Sequence, residues 1–462
     1  MMSGKENQIK IALIDFISSC ELGKTNTSSL GIASIKGVLD ANQIPNKIIR
    51  IPFSLDSITQ AKQELREVNP EYIGIPLLSK TYPIAKALAR RIKESIGLPI
   101  LVGGHLPTVL PKDVLEDCRD FDFAFIGEAE LELSKFLQGE ECNGIAYRES
   151  DSVKIKLNKE PIDINKLPFP SPEYLLEGAI NGGGVIPLEI QRGCGYRKCI
   201  FCDISAFYSK GYERLHYSRY KSIENILKEV RYWENRNINC FALRGDNLLG
   251  DRDQINTFIT EIEKSKKQVI IGLTTRADEI VNNYNTVERL QKSKYINVGG
   301  ISIGFESNTQ HALDLLKKGT TPEINYQAME IIKRLNKKYG KETKIFYNFI
   351  LFPHPDMTLE DLIENIKFAA EYIPNSQSLY PALKTVPFPG TEIWHKLKKQ
   401  GYIANPENGF TCNYVFNDEK VQRAFTYFRG RSKDIKPLFV CKEIYNASME
   451  RKIGKIISNG RS

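Results

Sequence analysis

Three cysteines fall within nine residues, in the run Gln191-Arg192-Gly193-Cys194-Gly195-Tyr196-Arg197-Lys198-Cys199-Ile200-Phe201-Cys202. Three thiolates on one short loop are a metal-ligand set. A cube of iron and sulfide held by three cysteines leaves one iron open to an outside ligand. A structural zinc ion asks instead for a fourth protein ligand. His216 could supply one, but it stands fourteen residues beyond Cys202 with no second His or Cys beside it. The loop therefore points to an open [4Fe–4S] cluster on Cys194, Cys199 and Cys202, ahead of zinc or of three unrelated core cysteines. The other six cysteines (Cys20, Cys118, Cys142, Cys240, Cys412, Cys441) are scattered. They read as small core residues of a reducing compartment rather than as a disulfide framework.

These residues need a scaffold, and the pattern of apolar runs supplies one. Over the first part, short apolar runs at 9–14, 47–51, 72–76, 99–102 and 123–126 alternate with helical periodicity at 30–40, 58–68 and 84–96. This alternation predicts a flavodoxin-like or Rossmann-like doubly wound α/β domain over 1–138, with its ligand crevice at the carboxyl ends of the strands. Residues 139–181 hold a predicted hairpin and then Pro161, Pro168, Pro170 and Pro172, and read as a linker. From 182 to 385 strands are expected at 185–190, 240–244, 269–274, 298–303, 343–351 and 378–384. One helix is capped by Ser222 and another by Thr358 with Asp361 three residues on. Six βα units predict a partial (β/α)6 TIM-like barrel, followed by a small C-terminal extension over 386–462.

Hydrophobic residues at 41% and charged residues at 26% are those of a globular chain. No run is long enough to span a membrane and the N-terminus is polar, so a cytoplasmic protein without a membrane partner is expected. The net charge of +8 is mild, and the basic tail at 451–455 reads as a solvated face. No basic-aromatic stripe marks a nucleic-acid surface, and none is expected.

The cysteine run resembles the cluster loop of the radical S-adenosylmethionine (radical SAM) superfamily, with Arg192-Gly193 before it and the aromatic Phe201 before the last cysteine. It departs from the family's Cys-x3-Cys-x2-Cys in having Cys-x4-Cys-x2-Cys, one residue longer between the first two ligands. Further segments resemble the same family in the same order. They are Leu243-Arg244-Gly245-Asp246-Asn247, Thr275-Arg276-Ala277-Asp278, Gly304-Phe305-Glu306-Ser307, Lys318-Gly319-Thr320, the segments at 349–352 and 358–361, and Pro389-Gly390-Thr391. The resemblance implies that the open iron chelates the amino and carboxylate groups of SAM and that reductive S–C5′ cleavage gives a 5′-deoxyadenosyl radical. It implies SAM contacts at Phe201, Gly245, Asp246, Arg276, Glu306 and Ser307, with Asp246 suited to the ammonium, Arg276 to the carboxylate and Glu306 to ribose hydroxyls. It also implies an external electron donor such as flavodoxin or ferredoxin.

The N-terminal part is similar to the cobalamin-binding domain of class B radical SAM enzymes. The resemblance lies in Gly103-Gly104-His105-Leu106-Pro107-Thr108 and Gly127-Glu128-Ala129-Glu130. It implies cobalamin contacts at Ser18, Ser79, Gly103, Gly104, Thr108, Gly127 and Glu128, with the loops 15–29, 77–81 and 103–108 surrounding the corrin. The run Asp15-Phe16-Ile17-Ser18-Ser19-Cys20 carries no His, so cobalamin without a protein imidazole ligand is expected. Taken together, these features imply a cobalamin-dependent methyltransferase acting on an unactivated carbon of a small molecule or peptide. One alternative is a radical SAM rearrangement, cyclisation or epimerisation with a vestigial or docking N-terminal domain. A second is a non-enzymatic iron–sulfur regulator. A methylthiotransferase is disfavoured, since Cys20, Cys118 and Cys142 lack the upstream motifs of a second three-cysteine set.

Overall fold

The computed structural model describes residues 8–17, 29–150, 152–181, 184–214, 218–374, 383–431, 437–446 and 454–455. Ser18, Cys20, His216 and most of the loop 15–29 lie outside the described residues, as does most of the basic tail.

The chain folds as two compact units, one comprising Met1–Glu189, Cys202–Ile238 and Phe388–Cys412 and the other Ile190–Phe201, Asn239–Pro387 and Asn413–Ser462. The first begins with β1 (Ile11–Ile17), whose residues Ile11 to Ile14 are all buried. Helix α1 (Leu30–Ala41) follows, its first turn capped by Ser29 accepting from Ile32 N at 3.4 Å. The alternation continues through β2 (Asn46–Pro52), α2 (Ser57–Val68), β3 (Tyr72–Pro76), α3 (Tyr82–Ser95), β4 (Ile100–Gly103), α4 (His105–Val109), α5 (Pro111–Asp117), β5 (Phe123–Phe125) and α6 (Glu130–Leu137). The strand order β2-β1-β3-β4-β5, all parallel, is the doubly wound order expected from the sequence. It places the topological switch point between β1 and β3.

The hairpin expected inside the linker is β6 (Ile145–Glu149) and β7 (Ser152–Lys156), and it continues this sheet antiparallel to β5. Ile145 and Ala146, on opposite faces of β6, are both buried, while Lys154 and Lys156 on β7 keep the outer edge charged. After α7 (Pro172–Asn181) and β8 (Ile186–Glu189) come the short β9 (Gln191–Arg192), α8 (Asp203–Lys210), the short β10 (Arg219–Tyr220) and α9 (Ile223–Glu234). Ser222 caps α9 through Asn225 N at 3.3 Å, as its position predicted.

The second unit is built on four parallel strands in the order β14-β13-β12-β11. They are β11 (Cys240–Arg244), β12 (Val269–Arg276), β13 (Ile296–Glu306) and β14 (Lys344–Phe349). A parallel bridge from Phe352 to Lys384 marks the end of the sixth expected strand, most of which lies outside the described residues. Thr358 and Asp361 form the full capping box of the helix Leu359–Tyr372. On each strand, residues such as Phe241, Leu243, Ile271, Leu273, Ile301 and Ile303 are buried, and the residues between them form the other, more open face.

Candidate active site

The cysteine loop leaves the end of β9 and runs to the N-terminus of α8, where Cys202 is the N-cap residue. Cys194, Cys199 and Cys202 are all half-buried. Gly193 N donates to Asp246 Oδ2 at 2.7 Å, Ile200 N donates to Leu316 O at 3.1 Å, and the Tyr196 hydroxyl donates to Lys317 O at 2.9 Å. Tyr196 lies in the longer spacing. Its ring sits 3.9 Å from the Arg276 guanidinium carbon, and a Cβ on Gly319 (φ +66°) would fall on its hydroxyl. The next residue, Arg197, turns the chain at φ +51°. The extra residue is thus taken up by a left-handed turn beside a docked tyrosine.

Burial pushes the Cys199 thiol above its ordinary pKa, while Lys318 and Arg276 beside it act in the opposite direction. Arg276 Nη1 lies 3.8 Å from Cys199 Sγ. Among the described residues no three His, Cys, Asp or Glu side chains converge into a closed metal-binding group.

The predicted SAM residues surround the carboxyl ends of β11, β12 and β13. Gly245 leaves no room for a side chain, since a Cβ would lie 2.6 Å from Leu248 and 2.8 Å from Gln191 Oε1. One oxygen of Asp246 is taken by the cluster loop, as given above. Arg276 is buried and held from several sides. It binds Asp278 through Nε (2.9 Å) and Nη2 (3.0 Å), and Nη2 also reaches Lys318 O at 2.7 Å.

Glu306 adopts φ +63° at a register shift between β13 and β14, a left-handed conformation that costs a non-glycine residue on the order of 1 kcal/mol. Its Oε1 pairs with Lys318 Nζ at 3.1 Å, both side chains being largely buried. Ser307 is fully buried and donates to Asn365 Oδ1 at 2.9 Å, which makes it a support for the Glu306 turn. Phe201 is half-buried in the loop itself.

In the first unit, a cavity of about 320 Å³ opens at the switch point. Leu13, Ile32, Ile75, Leu101 and Leu133 give it apolar walls, and Gly31, Gly74, Gly103 and Gly104 keep it open. Gly103 and Gly104, two of the residues expected to contact cobalamin, line this cavity, and the other described residues of that set do not. Ser79 is buried and is not part of the cavity wall. Thr108 Oγ1 donates to Gly104 O and accepts from Gly127 N at 2.9 Å.

Gly127 (φ +77°) and Glu128 face the segment that follows Cys202. A Cβ on Gly127 would lie 2.7 Å from the Tyr212 hydroxyl, and Glu128 N donates to that same oxygen at 2.7 Å. The Glu128 carboxylate pairs with Arg219, with Nη1 to Oε2 at 3.0 Å, and also accepts from Tyr208 and from Ile162 N. His105 Nε2 donates to Asp203 O at 2.8 Å. These bonds fasten α8, with Cys202 at its cap, to the first sheet. Arg219→Ala should leave the buried Glu128 charge without its partner and destabilise the first unit by about 3 kcal/mol, read as a lowered thermal midpoint. An unchanged midpoint would mean that water or another cation replaces Arg219.

Residues 23–137 match the B12-binding domain family, and residues 188–369 match the radical SAM superfamily. The chain is a B12-binding radical SAM protein. A putative methylthiotransferase of Methanocaldococcus jannaschii is 27% identical over 66% of this chain and 67% of its own length. An uncharacterized methyltransferase of Pyrococcus horikoshii is 26% identical over 71% of this chain and 70% of its own. Among solved structures, the cobalamin-dependent radical SAM enzyme OxsB, with aqua-cobalamin and SAM bound, superposes with a TM-score of 0.70. It covers 97% of this chain and 71% of its own at 19% identity, a likeness of fold. The doubly wound domain followed by a parallel barrel-like domain, as expected from the sequence, is the fold of this radical SAM protein.

A radical SAM protein with a B12-binding domain takes a [4Fe–4S] cluster, SAM and cobalamin. The loop fits a cluster by donor chemistry, with three thiols on one segment and the cations Arg276 and Lys318 beside Cys199. The cavity at the switch point, with its apolar walls and glycine-lined rim, fits an apolar part of a larger ligand. Sequence reasoning missed Tyr196, Asn247 and the Tyr212–Arg219 clamp. Asn247 is buried and ties three elements together, accepting from Arg276 N and Thr275 Oγ1 and donating to Glu279. The signal for Tyr196 was its place in the unusual spacing. Nothing local marks the clamp, whose partners are about ninety residues apart. No helix among the described residues is long and apolar enough to cross a membrane.

Proposed function

We propose that this chain is a cobalamin-dependent radical SAM methyltransferase, with Cys194, Cys199 and Cys202 as the cluster ligands. The observation that carries the reading is the pairing of two features in one chain. One is a three-thiol loop pinned by Asp246 and Leu316 beside the Arg276–Lys318–Glu306 group. The other is a doubly wound domain with an apolar cavity at its switch point. When bound, the cluster supplies the electron that cleaves SAM, and cobalamin supplies a methyl carrier.

The protein's own residues bind and orient. Asp246 and Glu306 present carboxylate oxygens at the carboxyl ends of β11 and β13, and Arg276 steadies the loop carrying Cys199. In the first unit, Gly103 and Gly104 let a ligand approach the backbone at the end of β4. Thr108, Gly127 and Glu128 act by holding α8. The substrate is a small molecule or peptide with an unactivated carbon, the electron donor a flavodoxin or ferredoxin, and the setting cytoplasmic. Methyltransferase names among the relatives support this reading. The upstream three-cysteine set that a methylthiotransferase needs is not offered by Cys118 and Cys142, both buried with thiol pKa values raised by burial.

Anaerobic reconstitution with iron, sulfide and hydroxocobalamin tests it. The expected result is about four irons per chain, as for a cubane cluster, with one corrin per chain. On turnover, S-adenosylhomocysteine and 5′-deoxyadenosine should form in equal amounts. A protein that holds iron but no corrin, or that forms 5′-deoxyadenosine without matching S-adenosylhomocysteine, would belong to the rearrangement, cyclisation or epimerisation reading.

A further inference from the structure

Arg244 is the last residue of β11. Along that strand Phe241 and Leu243 are buried, so Ala242 and Arg244 share the opposite face. Parallel pairing of Ala242 with Gly272, and of Thr274 with Ser302, puts Arg244 at the level of those two hydroxyls. It is two residues short of the level where Arg276 pairs with Gly304. The same face carries Asn348, whose Nδ2 donates to Ser302 Oγ at 2.9 Å. Ile270 (38% exposed) and Phe346 (48% exposed) lie uncovered on it.

Two facts about Arg244 are unusual together. Its side chain is exposed, yet surrounding protein desolvates the guanidinium enough to bring its pKa below the ordinary arginine value. Among the described residues no acidic side chain is paired with it, and no nearby charge offsets that desolvation. The two cations beside Cys199 are committed, Arg276 to Asp278 and Lys318 to Glu306. A partly desolvated guanidinium without a counter-charge is unfavourable unless an anion completes it, and its planar fork matches carboxylate and phosphate oxygens.

We infer that Arg244 binds an oxyanion of the substrate, a phosphate or carboxylate, on an open sheet face whose Ile270 and Phe346 receive an apolar part of the same molecule. The inference rests on the reading of the Asp246–Arg276–Glu306 rim as the SAM position, which leaves Arg244, set deeper, for the second ligand.

Reconstituted protein loaded with SAM tests it with three probes sharing one ring: phenyl phosphate, benzoate and benzyl alcohol. Binding is followed by ligand-observed magnetic resonance. Phenyl phosphate or benzoate should bind more tightly than the neutral alcohol. Arg244→Gln should weaken the anionic probe about tenfold or more, the loss of a charge-assisted hydrogen bond, with Arg244→Lys between the two. SAM affinity should be unchanged in both variants. Equal probe affinity in wild type and Arg244→Gln would overturn the assignment. So would a drop in SAM affinity with the probes unaffected, which would give Arg244 to the SAM carboxylate. Wild-type protein that fails to bind SAM would instead count against the rim reading, and the probes would still report on Arg244.

Discussion

Replacing any one of Cys194, Cys199 or Cys202 by alanine should abolish 5′-deoxyadenosine formation while leaving the chain folded. Each sulfur is one of only three that the loop can offer a cluster, and a cubane held by two cysteines exposes a second iron. Iron should fall from about four per chain toward background in all three variants. The fold should survive because all three side chains are half-buried and the loop is anchored by other groups. Those anchors are Gly193 N on Asp246, Tyr196 on Lys317 O and Ile200 N on Leu316 O. Cys118→Ala is the matched control. Its thiol is buried, with its pKa pushed up to about 11 by that burial, so it is poorly suited to ligate, and its loss should leave iron content unchanged. The decisive variant is Cys199→Ala, because the longer spacing displaces this residue from its ordinary place in the family pattern. Full iron content in that variant would show that the extra residue removes Cys199 from the ligand set.

Glu306→Gln should be costly twice over. It leaves the Lys318 ammonium, only 5% exposed, without the carboxylate 3.1 Å away. Breaking a buried pair from one side costs about 3–5 kcal/mol, because the remaining charge stays desolvated. The thermal midpoint should therefore fall markedly. SAM affinity should also fall by tenfold or more if the carboxylate accepts from SAM hydroxyls, a charged hydrogen bond being worth about 1.5–3 kcal/mol. The double variant Glu306→Gln/Lys318→Met separates the two effects, since replacing both members of a buried pair with uncharged groups is often neutral. It should recover most of the midpoint and none of the SAM affinity. A double variant that binds SAM like the wild type would give Glu306 a structural role only.

How much of this could be read from the residues differs from element to element. The alternation of apolar runs gave the strand order its raw material, and the caps at Ser222 and Thr358 lie where side-chain chemistry and spacing place them. These signals are local: a hydroxyl and the backbone N–H three residues on, or a strand's own alternation. The cysteine loop was legible for the same reason, since all three thiols lie within nine residues. The hairpin β6–β7 was seen as a hairpin but assigned to the linker, because its pairing with β5 depends on a partner twenty residues away.

The roles of individual charged groups were decided only by tertiary structure. Arg276 and Glu306 were recognisable as motif residues, but nothing nearby in sequence shows that Asp278, Lys318 and Tyr196 already engage them. Glu128 likewise read as a ligand contact, and it meets Arg219 only because the fold brings together residues 91 positions apart. The sequence by itself determined the elements, the order of the two domains and the thiol loop, since each rests on short-range periodicity or spacing. Which carboxylates are spent on protein cations, and that Arg244 has no acid paired with it among the described residues, depend on long-range packing and desolvation, and these exist only in the folded chain.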